Sequence, residues 1–144
     1  MICLPDVNVW LALAVEQHVH HPAAKRWFDG TVDARLAFCR ITEMGLLRLL
    51  TNARVMDGDP LPASAAWRVR DQFFTDSRIV LMREPDGFTE RWRETAKAGR
   101  IGPNFWTDAY LVRFCASIDS TLVTFDQALS RQKHCLVRIL SNGS

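Results

Sequence analysis

Short apolar runs alternate with amphipathic stretches along almost the whole chain, and turn residues mark each change of pattern. Ile2 to Leu4 is a brief apolar run, read as a buried strand too short to declare itself by alternation. Asp6 follows at its carboxyl end, and Asn8 stands where it would cap a helix beginning near Val9. A loop over 16–22 leads to Pro22, which opens a second helix through Trp27 and Phe28 and ends at Asp29-Gly30. The run 35–40 predicts a second buried strand, and a helix over 42–52 follows at once. After the Asp57-to-Pro62 loop, Ser64 is placed to cap a helix carrying Trp67, Val69, Phe73 and Phe74. A third strand is predicted over 78–82 and a polar amphipathic helix over about 88–98. Asn104 then caps a strongly apolar helix to about Ile118. A fourth strand over 120–125, a short helix from Gln127 and a fifth strand over 135–140 complete the series.

Strands alternating with helices in this way predict an α/β fold in three layers, a parallel five-stranded sheet flanked by helices on both faces. The expected organisation is one domain over 1–140 and a flexible tail over 141–144, with no internal repeat or long linker. The length of 144 residues suffices to bury a core.

Most of the sixteen acids lie in polar surroundings and belong to a solvated surface. Four do not. Glu43 shares a helical face with Leu46, Leu47 and Leu50, at the N-terminal rim of an apolar stripe. Asp108 repeats the arrangement with Leu111, Val112 and Cys115. Asp6 and Asp126 end predicted strands, each with a helix following. Strand ends and the starts of following helices share one edge of a parallel sheet, so the four acids are expected to converge there. Singly, each could be a helix cap or a partner of the helix dipole, worth about 0.3–1 kcal/mol. Together they would repel, and one would take up a proton unless a cation neutralised them. Oxygen-only donors favour a hard ion, Mg²⁺ or Mn²⁺.

These residues stand in segments that resemble the motifs of a known family. Pro5-Asp6-Val7-Asn8-Val9-Trp10, Ile41-Thr42-Glu43-Met44-Gly45-Leu46, Trp106-Thr107-Asp108-Ala109-Tyr110 and Val123-Thr124-Phe125-Asp126 are similar, in order and spacing, to the four motifs of PIN domains. More narrowly they resemble VapC-type toxins of bacterial toxin–antitoxin pairs, over nearly the whole chain. The resemblance implies the three-layer PIN-like fold and Mg²⁺- or Mn²⁺-dependent endoribonuclease activity leaving 5′-phosphate and 3′-hydroxyl ends. It also implies a homodimer and a cognate VapB-type antitoxin that blocks the acidic pocket. Asp6, Glu43, Asp108 and Asp126 match the catalytic, metal-binding quartet. Asp6 and Asp108 are expected to ligate directly, Glu43 to bind metal or orient water, and Asp126 to act through a water or from behind the direct ligands. Asn8, Thr107 and Thr124 are the expected supporting residues. The alternative is a PIN-type protein that binds RNA or a partner without cutting it.

Composition changes this picture little. A hydrophobic share of 48% with 24% charged residues describes a globular chain. No apolar run approaches the ~20 residues of a membrane span, and no leader pattern opens the chain, so the cytoplasm is the expected location and no membrane is involved. The four cysteines lie far apart and form no C-x-x-C pair, which predicts reduced core residues. The net charge is only +2, but without the four special acids twelve acidic residues face eighteen basic ones. Fifteen of those eighteen are arginines, suited to phosphate. Arg40, Arg48, Arg100 and Arg113 lie near the acidic motifs, and with Trp106 they are candidates for contact with RNA or antitoxin. His18, His20 and His21, even with His134, lack the spacing of a helical metal pair and are expected to cap or pack. The glycines form no phosphate-cradling loop, and a receiver-type reading lacks its paired acid and its lysine.

Overall fold

The computed structural model describes residues 1–95 and 100–142. The predicted helix over 88–98 and the tail over 141–144 therefore fall partly outside the described residues. The elements are β1 (Ile2–Pro5), α1 (Val7–Ala14), α2 (His21–Gly30), β2 (Arg35–Phe38), α3 (Arg40–Leu50), α4 (Ala63–Phe73), β3 (Ile79–Leu81), α5 (Phe88–Arg93), α6 (Phe105–Ser117), β4 (Thr121–Thr124), a 3₁₀ helix (Gln127–Arg131) and β5 (Leu136–Ile139). All five strands run parallel in the order β3-β2-β1-β4-β5. The chain builds outward from β1 to β3, then returns to the other side of β1 for β4. The crevice between the carboxyl ends of β1 and β4 is thus the topological switch point, where open α/β sheets bind ligands.

Side-chain alternation along each strand sorts the core into two layers. Cys3, Leu36, Phe38, Ile79 and Val123 face the layer that holds Trp10, Trp27, Leu46 and Leu50. Their neighbours Leu4, Ala37 and Leu122 face the other, with Phe88, Tyr110, Leu111 and Phe114. Trp10 stacks on Phe38 at 3.9 Å between ring centroids, which packs α1 against the sheet centre. At the far edge, the Arg78 guanidinium donates to the carbonyls of Phe28 and Thr31 and lies 4.2 Å from the Phe28 ring centroid, tying the end of α2 to the start of β3.

Several helix starts differ from the sequence pattern, each for a local reason. Helix α1 begins at Val7, because Asp6 is extended and its own carboxylate accepts the Val7 N–H at 2.7 Å. Asn8 is therefore an exposed residue of the first turn and not the cap. Helix α3 begins at Arg40, two residues before its expected start, because the Thr42 hydroxyl reaches back to the Cys39 N–H at 3.0 Å. Ser64 lies inside α4, whose first turn follows Pro62 without a side-chain cap, since proline presets the entry dihedral. Asn104 stands at the α6 cap position with no capping hydrogen bond from its side chain. The four cysteines are free thiols, and Cys3, Cys39 and Cys115 are buried.

Helices α1 and α3 cross where Gly45 meets Val7, and a Cβ at residue 45 would lie 2.8 Å from Val7 Cγ2. Alanine at a helix interior gains about 1 kcal/mol over glycine, while overpacking against a stiff β-branched neighbour costs about 1–3 kcal/mol. Gly45→Ala is expected to destabilise the protein by about 1 kcal/mol net and to displace the residue after Asp6. Urea denaturation checks it: a stabilised variant would mean that α1 and α3 do not approach this closely.

Candidate active site

The site grows from the pairing of β1 with β4. The Asp6 N–H donates to the Val123 carbonyl at 2.8 Å, extending the ladder one residue past the strand and bringing Asp6 beside Thr124. Thr124 is fully buried. Its hydroxyl donates to Asp6 Oδ2 at 3.1 Å and accepts the Asp126 N–H at 3.0 Å. One side chain therefore aims the first carboxylate and shapes the turn that carries the fourth acid. Asp6 Oδ1 caps Val7, and Asp126 Oδ1 accepts the Ala128 N–H at 2.9 Å, starting the 3₁₀ helix.

Asp6, Asp108 and Asp126 line one cleft of ≈ 430 Å³ together with Asn8, Thr107, Arg48 and the α3 residues Ile41, Thr42, Met44 and Gly45. Burial raises the Asp6 carboxyl above its usual range, Val7 and Thr124 oppose that through hydrogen bonds, and the Asp126 charge adds to it. Asp108, which projects from the first turn of α6, is pushed up to about 6 by burial first and then by the charges of Asp6 and Asp126. The three aspartates therefore sense one another, which is the electrostatic condition for a bound cation. Among the described residues, no three Asp, Glu, His or Cys side chains are close enough to enclose an ion by themselves. Water or substrate oxygens would complete its shell, as is usual for Mg²⁺.

Glu43 is elsewhere. Only 3% exposed, it shares the core-facing side of α3 with Leu46 and Leu50 and does not line the cleft. Arg70, from α4, donates to its Oε2 through Nε and Nη2, both at 3.0 Å, and Arg40 donates to its Oε1. The face shared by 43, 46 and 50 is the one the sequence pattern identifies, but it packs into the first core layer and the opposite face borders the cleft. Arg70 escaped sequence reasoning because it lies 27 residues away in an unremarkable amphipathic helix.

The other candidates separate similarly. Arg48 lines the cleft. Arg40 is engaged by Glu43, and Arg113, only 17% exposed, lies 3.7 Å from Glu94. Arg100 is exposed. Trp106 is 59% exposed, edge-on to Trp92 and Phe105 and outside the cleft lining. His18 Nδ1 accepts the His20 N–H, His20 stacks on Phe125 at 4.3 Å, and His21 bonds the Ala12 carbonyl, so the three histidines pack as a loop.

Comparison with known proteins places this geometry in context. The PIN domain family model matches residues 3–134. The chain is 42% identical to ribonuclease VapC41 of Mycobacterium tuberculosis, over 96% of this chain and 98% of that protein. Its fold is similar to the crystal structure of VapBC2 from Rickettsia felis bound to a promoter DNA fragment, with a TM-score of 0.71 at 15% identity, covering 98% of this chain and 100% of that one. It is also similar to Mycobacterium tuberculosis VapC20, a sarcin-ricin loop cleaving toxin, with a TM-score of 0.64 at 16% identity over 89% and 92% of the two chains. No helix among the described residues is long and apolar enough to cross a membrane.

Two outcomes follow from the electrostatics. A carboxyl raised from 3.8 to about 6 favours the folded state only while protonated, so its contribution is full below pH 3.8 and lost as pH rises through about 6. Asp108→Asn is therefore expected to stabilise the metal-free protein by about 1 kcal/mol at pH 7.5, after discounting for partial exposure, and not at pH 4. Denaturation in EDTA at the two pH values measures it, and equal stability at pH 7.5 would refute the raised proton affinity of Asp108. Glu43→Gln is expected to cost about 2–3 kcal/mol, because Arg70 keeps its charge with only the exposed Asp71, 3.1 Å from its Nη1, as counter-ion. A variant as stable as wild type would mean that this ion pair contributes nothing to the α3–α4 contact.

Proposed function

This chain belongs to the PIN-domain family, in its VapC-type branch, and from that premise we propose that it is a toxin endoribonuclease that cleaves RNA with the help of a divalent cation. The observation that carries the reading is the convergence of Asp6, Asp108 and Asp126 on one cleft at the switch point of the sheet. Their oxygens fit a hard cation, and their mutual repulsion is relieved only by positive charge or protonation. Mg²⁺ or Mn²⁺, when bound, would supply Lewis-acid polarisation of a phosphate oxygen and of a water.

The chain's own residues supply the rest. Asp6 and Asp108 are the carboxylates we assign to the cation directly, and Asp126 assists from the loop that its own side chain caps. Thr124 holds Asp6 in one orientation, so the carboxylate need not reorganise when substrate arrives. Arg48, Asn8 and Thr107 on the cleft wall can bind phosphate and ribose oxygens. Hydrolysis adds water across the P–O3′ bond: the attacking oxygen joins phosphorus, the 3′ oxygen leaves with a proton, and a 5′-phosphate remains. Glu43 we assign to holding α3 against α4, because two arginines occupy its carboxylate. That same engagement is what favours the second reading, an RNA- or partner-binding protein without cleavage, because two arginines already occupy one carboxylate of the expected quartet.

As partners we propose a VapB-type antitoxin and a second copy of the chain in a cytoplasmic homodimer. The similar structure from Rickettsia felis carries both letters of such a pair in its name, VapBC2.

Incubating wild type and Asp108→Asn with total bacterial RNA and Mn²⁺, then mapping new 5′-phosphate ends, tests the activity. Discrete ends made by wild type alone are expected, and their absence from a folded wild type under RNA of the native host would favour the binding-only reading. Thr124→Val, which keeps the shape and removes the hydroxyl, is expected to weaken Mn²⁺ binding by about 10–100-fold. The midpoint of Mn²⁺-induced thermal stabilisation reads this directly, and an unchanged midpoint would remove Thr124 from the site.

A further inference from the structure

A second cavity of ≈ 690 Å³ adjoins the acidic cleft, and Asp108 lines both. Its floor is apolar, formed by Phe105, Val112 and Leu129. Its rim is basic: Arg131 ends the 3₁₀ helix, Lys133 and His134 follow before β5, and all three are exposed. None of the three side chains makes an ion pair among the described residues. The acid on the opposite rim, Glu94, faces Arg113 at 3.7 Å, so it only partly offsets that charge. The basic segment is also held in shape. Gln132 Oε1 accepts the N–H groups of His134 and Cys135 at 2.7 and 3.1 Å, while its Nε2 donates to the Cys135 carbonyl at 2.8 Å.

We infer that this groove binds the single-stranded RNA segment adjoining the scissile bond, with Arg131 and Lys133 on its phosphates and Phe105 against a base. The inference rests on the ribonuclease reading and extends it to residues that no motif marks. An aromatic and aliphatic floor beside a cationic rim is the combination that holds single strands without reading their sequence. Continuity decides the occupant: a strand whose phosphate lies in the aspartate cleft must leave it, and past Asp108 the adjoining cavity presents Arg131 and Lys133, which make no ion pair among the described residues. An acidic peptide could meet the same cations, but would not need the flat apolar floor.

The test is fluorescence anisotropy of a labelled mixed-sequence RNA dodecamer in EDTA, across a KCl series, for wild type, Arg131→Ala/Lys133→Ala and Phe105→Leu. Arg54→Ala/Arg68→Ala, which removes two exposed cations outside the groove, is the control. Losing two phosphate contacts should lower the salt slope of log K by about 1.4 and weaken binding about tenfold. Phe105→Leu should weaken binding several-fold with the slope unchanged, because stacking releases no counterions. In Mn²⁺ the double variant should raise KM about tenfold with kcat retained. An unchanged slope, or an equal loss in the control, would overturn the groove. So would oligoglutamate of equal length binding as tightly as RNA and losing as much affinity in the double variant. Cleavage by wild type with no groove effect would leave the nuclease standing and remove the subsite. Groove-dependent binding without any new 5′-phosphate ends would do the reverse.

Discussion

The hydrogen bond from Thr124 to Asp6 is the constraint on which the site depends. It exists because β1 and β4 pair in a register that sets Pro5 opposite Val123, so the next residues along each strand meet at the sheet edge. A slip of one residue would turn Thr124 to the other face and remove it from the carboxylate. That register is in turn held by the two core layers, because Leu4 and Leu122 face one while Cys3 and Val123 face the other. Packing on both sides of the sheet thus fixes a polar contact between residues 118 positions apart in the chain.

Two burial problems are solved in opposite ways within this small fold. Glu43 is removed from water and given Arg40, from its own helix, and Arg70, which binds α3 to α4. The arginine is itself placed, its guanidinium carbon 3.9 Å from the Phe74 ring centroid. Among the described residues Asp108 has no such partner, and burial first, then the charges of Asp6 and Asp126, raise its proton affinity. A fold that leaves charges unneutralised in a cleft is poised to bind a cation, at the expense of its metal-free stability. The difference between the two acids is invisible in their local patterns, which are both an acid at the start of an apolar helical stripe.

The cleft and the adjoining cavity meet at Asp108, so α6 serves both. Its first turn carries Asp108 and, on the same face, Phe105, while the 3₁₀ helix that Asp126 caps ends at Arg131 and leads into Lys133 and His134. Positioning of the acids and positioning of the cations therefore share the same short elements, and a change in either helix would be felt in both cavities.

Local sequence determined the alternation of strands and helices, the parallel sheet, and the candidacy of Asp6, Asp108 and Asp126, because apolar period, turn residues and strand-end acids are short-range signals. The helix starts were legible only to within two residues, since the caps at Asp6 and Thr42 depend on backbone geometry that no single position declares. Tertiary structure alone decided which face of α3 turns to the cleft, because that depends on how α1, α3 and α4 pack. It thereby assigned Glu43 to an ion pair with Arg70, a residue with no sequence signal of its own. Likewise the basic side chains of Arg131, Lys133 and His134 became a feature only when the fold laid that segment against α6 beside Asp108. A pattern along the chain can say that a carboxylate is out of place among apolar neighbours; only packing supplies, or withholds, the charge that answers it.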